Sequence, residues 1–277
     1  MSLSPMRKVF FVKYYDKGST VMAGDQIAEA LRARGHEAWS VYPQDVRAVR
    51  DAILVFIKTS RWWHLARAKR NGNRTVLDVQ DTVVFKRRIK NRFLFDGMIW
   101  KNRRQIEDFG RPGQANRIIH HQWDPRYEIN RLDGTALRIA YVGLARSFQL
   151  WGQVPGVDCF DDDYFRRALD YNCHLSVRES GREFLYKPNC KVSTAAACAA
   201  NLITTRDESA VELLGPDYPY YVASSERPDV LAGIEKARAT FGGPEWQAGL
   251  ETMRAVREKT SIDRVIDDYL SFFTELD

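Results

Sequence analysis

Apolar residues along the chain recur in two periods. Short runs rich in aliphatic and β-branched residues, Lys8 to Val12, Ala38 to Tyr42, Ala52 to Ile57 and Thr75 to Val79, read as strands. Ala52 to Ile57 is apolar throughout, the mark of a strand covered on both faces. Between these runs the apolar positions fall at helical spacing. Val21, Ile27, Ala28 and Leu31 share a face of a helix predicted to start near Met22 to Asp25 and to end at Gly35, and Trp62 to Arg70 predicts another. Strands alternating with helices predict parallel sheets with helices on both sides.

The middle segment, Phe85 to Phe109, reads as helix, strand, helix, and Arg117 to His121 as a further strand. Asp124 to Asp133 is polar and turn-rich, a linker by composition. The alternation then restarts. Leu137 to Val142, His174 to Val177, Leu202 to Thr204 and Tyr220 to Val222 are predicted strands; Asp161 to Leu169, Val192 to Ala200 and Ser209 to Leu214 are predicted helices. From about Pro244 the chain reads as helical, with Ser261 capping a last helix that buries Ile262, Val265, Ile266, Tyr269, Leu270 and Phe273. The expectation is an α/β protein of two Rossmann-like domains, 6–130 and 131–243, facing across a cleft, with helices in 244–277 packing back toward the first domain. Ligands of open α/β sheets bind beyond the carboxyl ends of the strands. The loops to watch are therefore Lys13 to Thr20, Gln80 to Thr82, Gly143 to Ser147 and Arg178 to Lys191.

Composition changes this picture little. A chain of 277 residues, 44% hydrophobic and 28% charged, suits two modest globular domains. No apolar run approaches the roughly 18 residues of a membrane span, and Met1 to Met6 does not read as a signal peptide, so the cytoplasm is the expected compartment. The four cysteines form no CxxC pair and read as reduced thiols. The net charge of +6 is concentrated in Lys86 to Arg104, which holds eight basic residues against Asp96. A patch of that kind attracts phosphates. Interleaved Phe93, Phe95 and Trp100 allow either peripheral contact with an anionic membrane or a solvated basic helix before a buried strand. No nucleic-acid reading motif is present.

The sharpest local chemistry is Lys187-Pro188-Asn189-Cys190-Lys191, running into an Ala-rich helix. A helix N-terminus offers free amides and partial positive charge to a diphosphate, and two lysines would add full charges. The alternative is a pair of solvated lysines beside an ordinary Pro-initiated helix. Asp161-Asp162-Asp163 reads as a helix N-terminus and no metal-ligand set is evident. His120 and His121 end a predicted strand, where one could act on a substrate or simply be hydrogen-bonded at a hinge. Glu179 and Glu183 suit sugar hydroxyls or salt bridges to Arg178 and Arg182. Trp62 and Trp63 read slightly better as core packing than as a stacking surface.

The stretch from Lys187 to Glu212, KPNCKVSTAAACAANLITTRDESAVE, resembles the donor-binding segment of GT-B glycosyltransferases of the retaining, sucrose-synthase-like class. Gly18-Ser19-Thr20 resembles the family's first loop, Asp78 to Asp81 its strand ending in His-Asp, Ile118 to Asp124 its strand ending in Asn-Gly-Val-Asp, and Ile139 to Gly143 the strand that opens its second domain. The resemblance implies transfer of a sugar from a nucleotide-diphosphate donor to an unknown glycan or lipid-linked acceptor, without metal or other cofactor. It implies donor contacts at Gly18, Ser19, Thr20, Arg146, Lys187, Asn189, Cys190, Lys191 and Thr194, and catalytic roles for His121 and Asp81. Several family positions differ: Tyr186 and Thr194 stand where two Glu residues are usual, Gln80 where His is frequent, and the basic pair after Val142 is reduced to Arg146. The alternative is therefore a catalytically degenerate GT-B-like protein that binds nucleotide or glycan as an accessory subunit.

Overall fold

The computed structural model describes residues 6–80, 89–132, 134–179 and 184–276. The chain divides into two compact units, one holding residues up to His121 with Tyr186–Pro188 and Ile262–Asp277, the other holding Gln122–Leu185 and Asn189–Ser261. Each is built on its own parallel sheet, giving two Rossmann-like α/β units.

The first unit has six strands: β1 (Val9–Val12), β2 (Ala38–Val41), β3 (Ile53–Ile57), β4 (Arg74–Asp78), β5 (Gly97–Trp100) and β6 (Ala115–Ile118), in the order β2-β1-β3-β4-β5-β6. All pairs are parallel, with Val9 opposite both Ala38 and Ile53, and Ile53 opposite Arg74. Alternation along β3 explains its unbroken apolar run. Ile53, Val55 and Ile57 face one layer, and Leu54 and Phe56 the other. The first layer is formed by α2 (Ile27–Ala33), through Ile27 and Leu31, and by the last helix, α10 (Ile262–Leu276), through Val265, Ile266, Tyr269, Phe272 and Phe273. The second is formed by α3 (Trp62–Arg70) and α4 (Arg103–Phe109), through Leu65, Ala68, Ile106 and Phe109.

The second unit orders its five strands β11-β10-β9-β7-β8: β7 (Ile139–Val142), β8 (Val157–Phe160), β9 (Cys173–Ser176), β10 (Asn201–Thr205) and β11 (Tyr221–Val222). Around them lie α5 (Tyr164–Arg167), α6 (Cys190–Ala197), α7 (Glu208–Leu214), α8 (Arg227–Thr240) and α9 (Pro244–Lys259). Numbered within each sheet, the first runs 2-1-3-4-5-6 and the second 2-1-3-4-5, which places a topological switch point between β1 and β3 in one and between β7 and β9 in the other.

Three features depart from the sequence reading. The first helical segment begins at Gly18, as α1 (Gly18–Thr20), and passes through a π-helical stretch, Val21–Gln26, before α2. Thr20 draws the start forward: its hydroxyl accepts from Lys17 N at 3.0 Å and donates to Tyr15 O at 2.8 Å, capping the turn. Second, β8 and α8 were not anticipated. The strand is a four-residue edge element with Asp158 exposed, and α8 carries only a weak apolar stripe. Third, the C-terminal helices do not act together: α8 and α9 belong to the second unit and α10 to the first.

What fixes α10 on the first sheet is a buried polar knot. Asp78, wholly out of solvent at the end of β4, lies 2.8 Å from Lys101 Nζ and accepts a hydrogen bond from the Tyr269 hydroxyl at 3.0 Å. Lys101 also donates to Ile119 O at 3.1 Å. Burial and the neighbouring carboxylate together raise the Tyr269 phenol well above its ordinary range. Removing a partner from such a knot strands a buried charge. Tyr269→Phe is predicted to cost roughly 1–3 kcal/mol in chemical denaturation, without loss of secondary structure in far-ultraviolet circular dichroism.

Candidate functional site

At the switch point of the second sheet, β7 ends in Tyr141 and Val142 and turns at Gly143, while β9 passes through Val177 into Arg178. Helix α6 begins beside them, and its second residue, Lys191, reaches back to β7. The Lys191 ammonium sits 3.4 Å from the centre of the Tyr141 ring, out of contact with solvent and with no hydrogen-bond partner among the described residues. Desolvation, reinforced by the nearby Arg178 charge, lowers its pKa to about 7. The aromatic face gives partial compensation for lost water, but no carboxylate among the described residues does.

Gly143 makes the approach possible. Its φ of +151° lies in the region that disfavours side chains, and a Cβ there would stand 2.7 Å from Lys191 Nζ. Tyr141 is held flat for the ammonium by Phe148, stacked at 4.5 Å and 10°, and by the edge of Trp151. Its own hydroxyl is buried without a partner, and burial raises it to about 12.

Arg178 supplies a second, partly buried cation. Its guanidinium donates to Asn189 Oδ1 at 3.3 Å and lies 3.8 Å from the Asp207 carboxylate, a loose ion pair. Asp207 is occupied elsewhere as well, accepting from Ala210 N and Ser209 Oγ at 2.8 Å as the cap of α7. Asn189, at the start of α6, is buried and turned toward Arg178, so its side chain does not cap the helix. The amino end of α6 thus has no side-chain cap, although the Val192 amide turns back to Asn189 O at 3.1 Å. Arg146 is exposed in the 3₁₀ turn Ala145–Ser147. A small pocket of ≈ 70 Å³ lies against these loops, lined by Ser147, Phe148, Val177, Arg178, Glu179 and Ser225 among others. Two cations, an uncapped helix start and a pocket at a switch point together favour an anion.

The structure does not treat the Lys187–Lys191 motif as a single unit. Lys187 belongs to the first compact unit and is half-buried, whereas Asn189, the partly exposed Cys190 and Lys191 belong to the second. Tyr186, buried, donates its hydroxyl to Asp108 at 2.7 Å. Thr194 is hydrogen-bonded to the Tyr127 hydroxyl. In the first unit, Gly18, Ser19 and Thr20 lie at the β1 end of the sheet, but Thr20 is buried and its hydroxyl is committed to capping. His121 is buried, and desolvation, with lesser contributions from Lys101, Lys58 and His120, pushes its pKa well down, so the ring is neutral near pH 7. Asp81 lies outside the described residues, as do Lys86, Arg87, Arg88, Arg182 and Glu183. Gln80 is buried, with neither end of its carboxamide hydrogen-bonded among the described residues. Trp62 and Trp63, read as core, are 61% and 47% exposed at the start of α3. They stand out because Leu65 and Ala68 are the residues of α3 that face the sheet. Sequence reasoning missed Arg178 and Tyr141 as site residues; the available signal was that Arg178 directly follows a predicted strand at a ligand-binding edge.

No protein-family profile matches the chain, and no curated protein matches it in sequence. Solved structures do match in fold. Sucrose-phosphate synthase from Thermosynechococcus elongatus superposes with a TM-score of 0.67 at 11% identity, over 98% of this chain and 99% of that one. AviGT4, a glycosyltransferase involved in avilamycin A biosynthesis, gives 0.66 at 13% identity over 98% of each chain. Anabaena HepE in complex with UDP gives 0.65 at 8% identity, over 97% of this chain and all of the other. The fold is that of GT-B glycosyltransferases. In this GT-B chain the cationic cluster lies at the switch point of the second Rossmann-like unit.

Lys191 titrates at about 7 in the folded protein against an ordinary 10.5. Between those values the unfolded chain holds the extra proton, so this residue makes stability rise with pH there, and its full penalty applies below pH 7. Lys191→Met is accordingly predicted to raise Tm at pH 6, by the equivalent of about 1–4 kcal/mol, with the gap to wild type closing as pH approaches 10. Scanning calorimetry without nucleotide checks both the sign and the trend.

Proposed function

We propose that the chain is a glycosyltransferase that takes its sugar from a nucleotide-diphosphate donor bound on the second unit. The observation that carries this reading is the unpartnered ammonium of Lys191 at the β7/β9 switch point, beside Arg178 and the uncapped start of α6. A site that isolates positive charge at the cost of stability is built for an anion that arrives later. Fold neighbours that hold UDP and UDP-glucose support a nucleoside diphosphate as that anion.

Departure of a diphosphate from a sugar builds negative charge on the leaving oxygen while the anomeric carbon becomes cationic. Lys191, Arg178 and the α6 amides would stabilise the departing group more as its charge grows, which is the differential binding that catalysis needs. Arg146, exposed on the same edge, would add to it. Retention of configuration belongs with the sucrose-synthase-like resemblance. The donor ribose would lie toward Thr194. The acceptor is assigned to the first unit, where Trp62 and Trp63 offer a sugar-stacking surface beyond β3. His121 is neutral there and could accept a proton.

A second reading, an accessory protein that binds donor without transferring it, is favoured by two engaged side chains. Tyr186 and Thr194, at the family's two Glu positions, spend their hydroxyls on Asp108 and Tyr127. Donor turnover would exclude this reading, and tight binding with no hydrolysis or transfer would select it.

The test is calorimetric titration with UDP. Anion binding requires protonated Lys191, so affinity should be flat below pH 7 and fall by about tenfold per pH unit above it. Lys191→Met should weaken binding by roughly 1–3 kcal/mol at pH 6.5 and abolish the pH slope. Wild-type affinity in that variant would refute the site. A separate proposal, contact of the segment 86–104 with an anionic membrane, is supported by the exposed Phe93 and Arg103. It predicts sedimentation with anionic but not neutral vesicles.

A further inference from the structure

The amino edge of the first sheet carries a second cationic site, independent of the nucleotide reading and wholly within the first unit. The strands β4, β5 and β6 are parallel and in register, so Arg74, Asp96 and Gln114 come together where the three strands begin. With Phe93, Arg111 and Glu275 they line an open cavity of ≈ 470 Å³. That volume lies within the range of roughly 300–1,000 Å³ typical of small-molecule sites.

The charges in this cavity do not balance. Its acids are already engaged, Asp96 by Lys69 and by the amide and hydroxyl of Thr75, and Glu275 by Arg117. No acid among the described residues pairs with Arg74, whose Nε is buried without a hydrogen-bond partner, or with the exposed Arg111. Two planar donor forks facing one space suit a dianionic phosphate, which takes guanidinium groups in pairs.

Gln114 narrows the ligand further. Its amide nitrogen donates to Arg92 O and Phe95 O, both at 2.9 Å, which fixes the orientation of the carboxamide. The oxygen, Oε1, is left buried with no partner among the described residues. That acceptor, on the same wall as Arg74 and Arg111, suits a ligand that is anionic at one end and carries a hydroxyl donor at the other. The Phe93 ring, 58% exposed on the wall, can cover the apolar face of a pyranose.

We propose that this cavity binds a phosphorylated sugar, with the phosphate on Arg74 and Arg111 and a sugar hydroxyl on Gln114 Oε1. It is not the donor site, because none of its residues belongs to the unit that holds Lys191.

Calorimetric titration of the full chain at low ionic strength with glucose 6-phosphate, inorganic phosphate and glucose tests the assignment. Glucose 6-phosphate should bind more tightly than either part alone, and more weakly as salt is added. Arg111→Gln, an exposed change that leaves the sheet intact, and Arg74→Gln should each weaken it by about tenfold or more. Lys191→Met should leave it unchanged. Absence of binding, wild-type affinity in Arg111→Gln, or loss in Lys191→Met would each overturn the proposal. Inorganic phosphate binding as tightly as the sugar phosphate would overturn the role of Gln114.

Discussion

A lysine ammonium taken out of water without a counter-ion is costly, and proteins keep one only where the surroundings enforce it. In this chain the enforcement is visible in three neighbouring residues. Tyr141 lends its ring face to Lys191, Phe148 holds that ring in plane, and Gly143 leaves the space that a side chain would fill. Arg178 adds a like charge instead of relieving the first. Nothing in the stability of the unit asks for this arrangement, since a methionine of similar length would pack there at lower cost. On the proposed reading the charge is held for a ligand.

The location follows from topology. In a parallel sheet of order 2-1-3-4-5 the connections leave the first strand in opposite directions, and the loops there part to open a crevice. Tyr141 and Gly143 come from one side of that point and Arg178 from the other, and α6 begins beside them without a side-chain cap. The first unit repeats the order with different contents. Its β1 loop is spent on local structure, Lys13 binding Asp16 and Asp25 and Thr20 accepting from the Lys17 amide. The same architecture thus serves charge in one unit and loop rigidity in the other.

Most of the fold was legible because buried parallel strands announce themselves: β1, β3, β4, β7 and β10 are apolar runs bounded by polar turns. What escaped was short or weakly patterned. Edge strand β8 alternates only over four residues, and α8 has little amphipathic contrast. The π-helical stretch after α1 lets Gly24 lie against Ile57 and Ser40, a packing decision that periodicity does not encode. Lys191 was legible as a charge next to a helix start, but its burial was not, because the partners that bury it are some 50 residues earlier in the chain. Adjacent lysines in sequence suggested one phosphate grip, whereas the chain passes from one compact unit to the other between them. The exposure of Trp62 and Trp63 was missed for a similar reason: Leu65 and Ala68 are the α3 residues that face the sheet, and the indoles are left over.

The central claim is that Lys191 waits as a depressed, unpaired ammonium for a diphosphate. Titrating its Cε by carbon-13 nuclear magnetic resonance, assigned with Lys191→Met, measures this directly. The free protein should show a midpoint near 7. Saturating UDP should move it above about 9, because a bound dianion favours the charged form. A free-protein midpoint near the ordinary lysine value, or one that UDP leaves in place, would contradict the account.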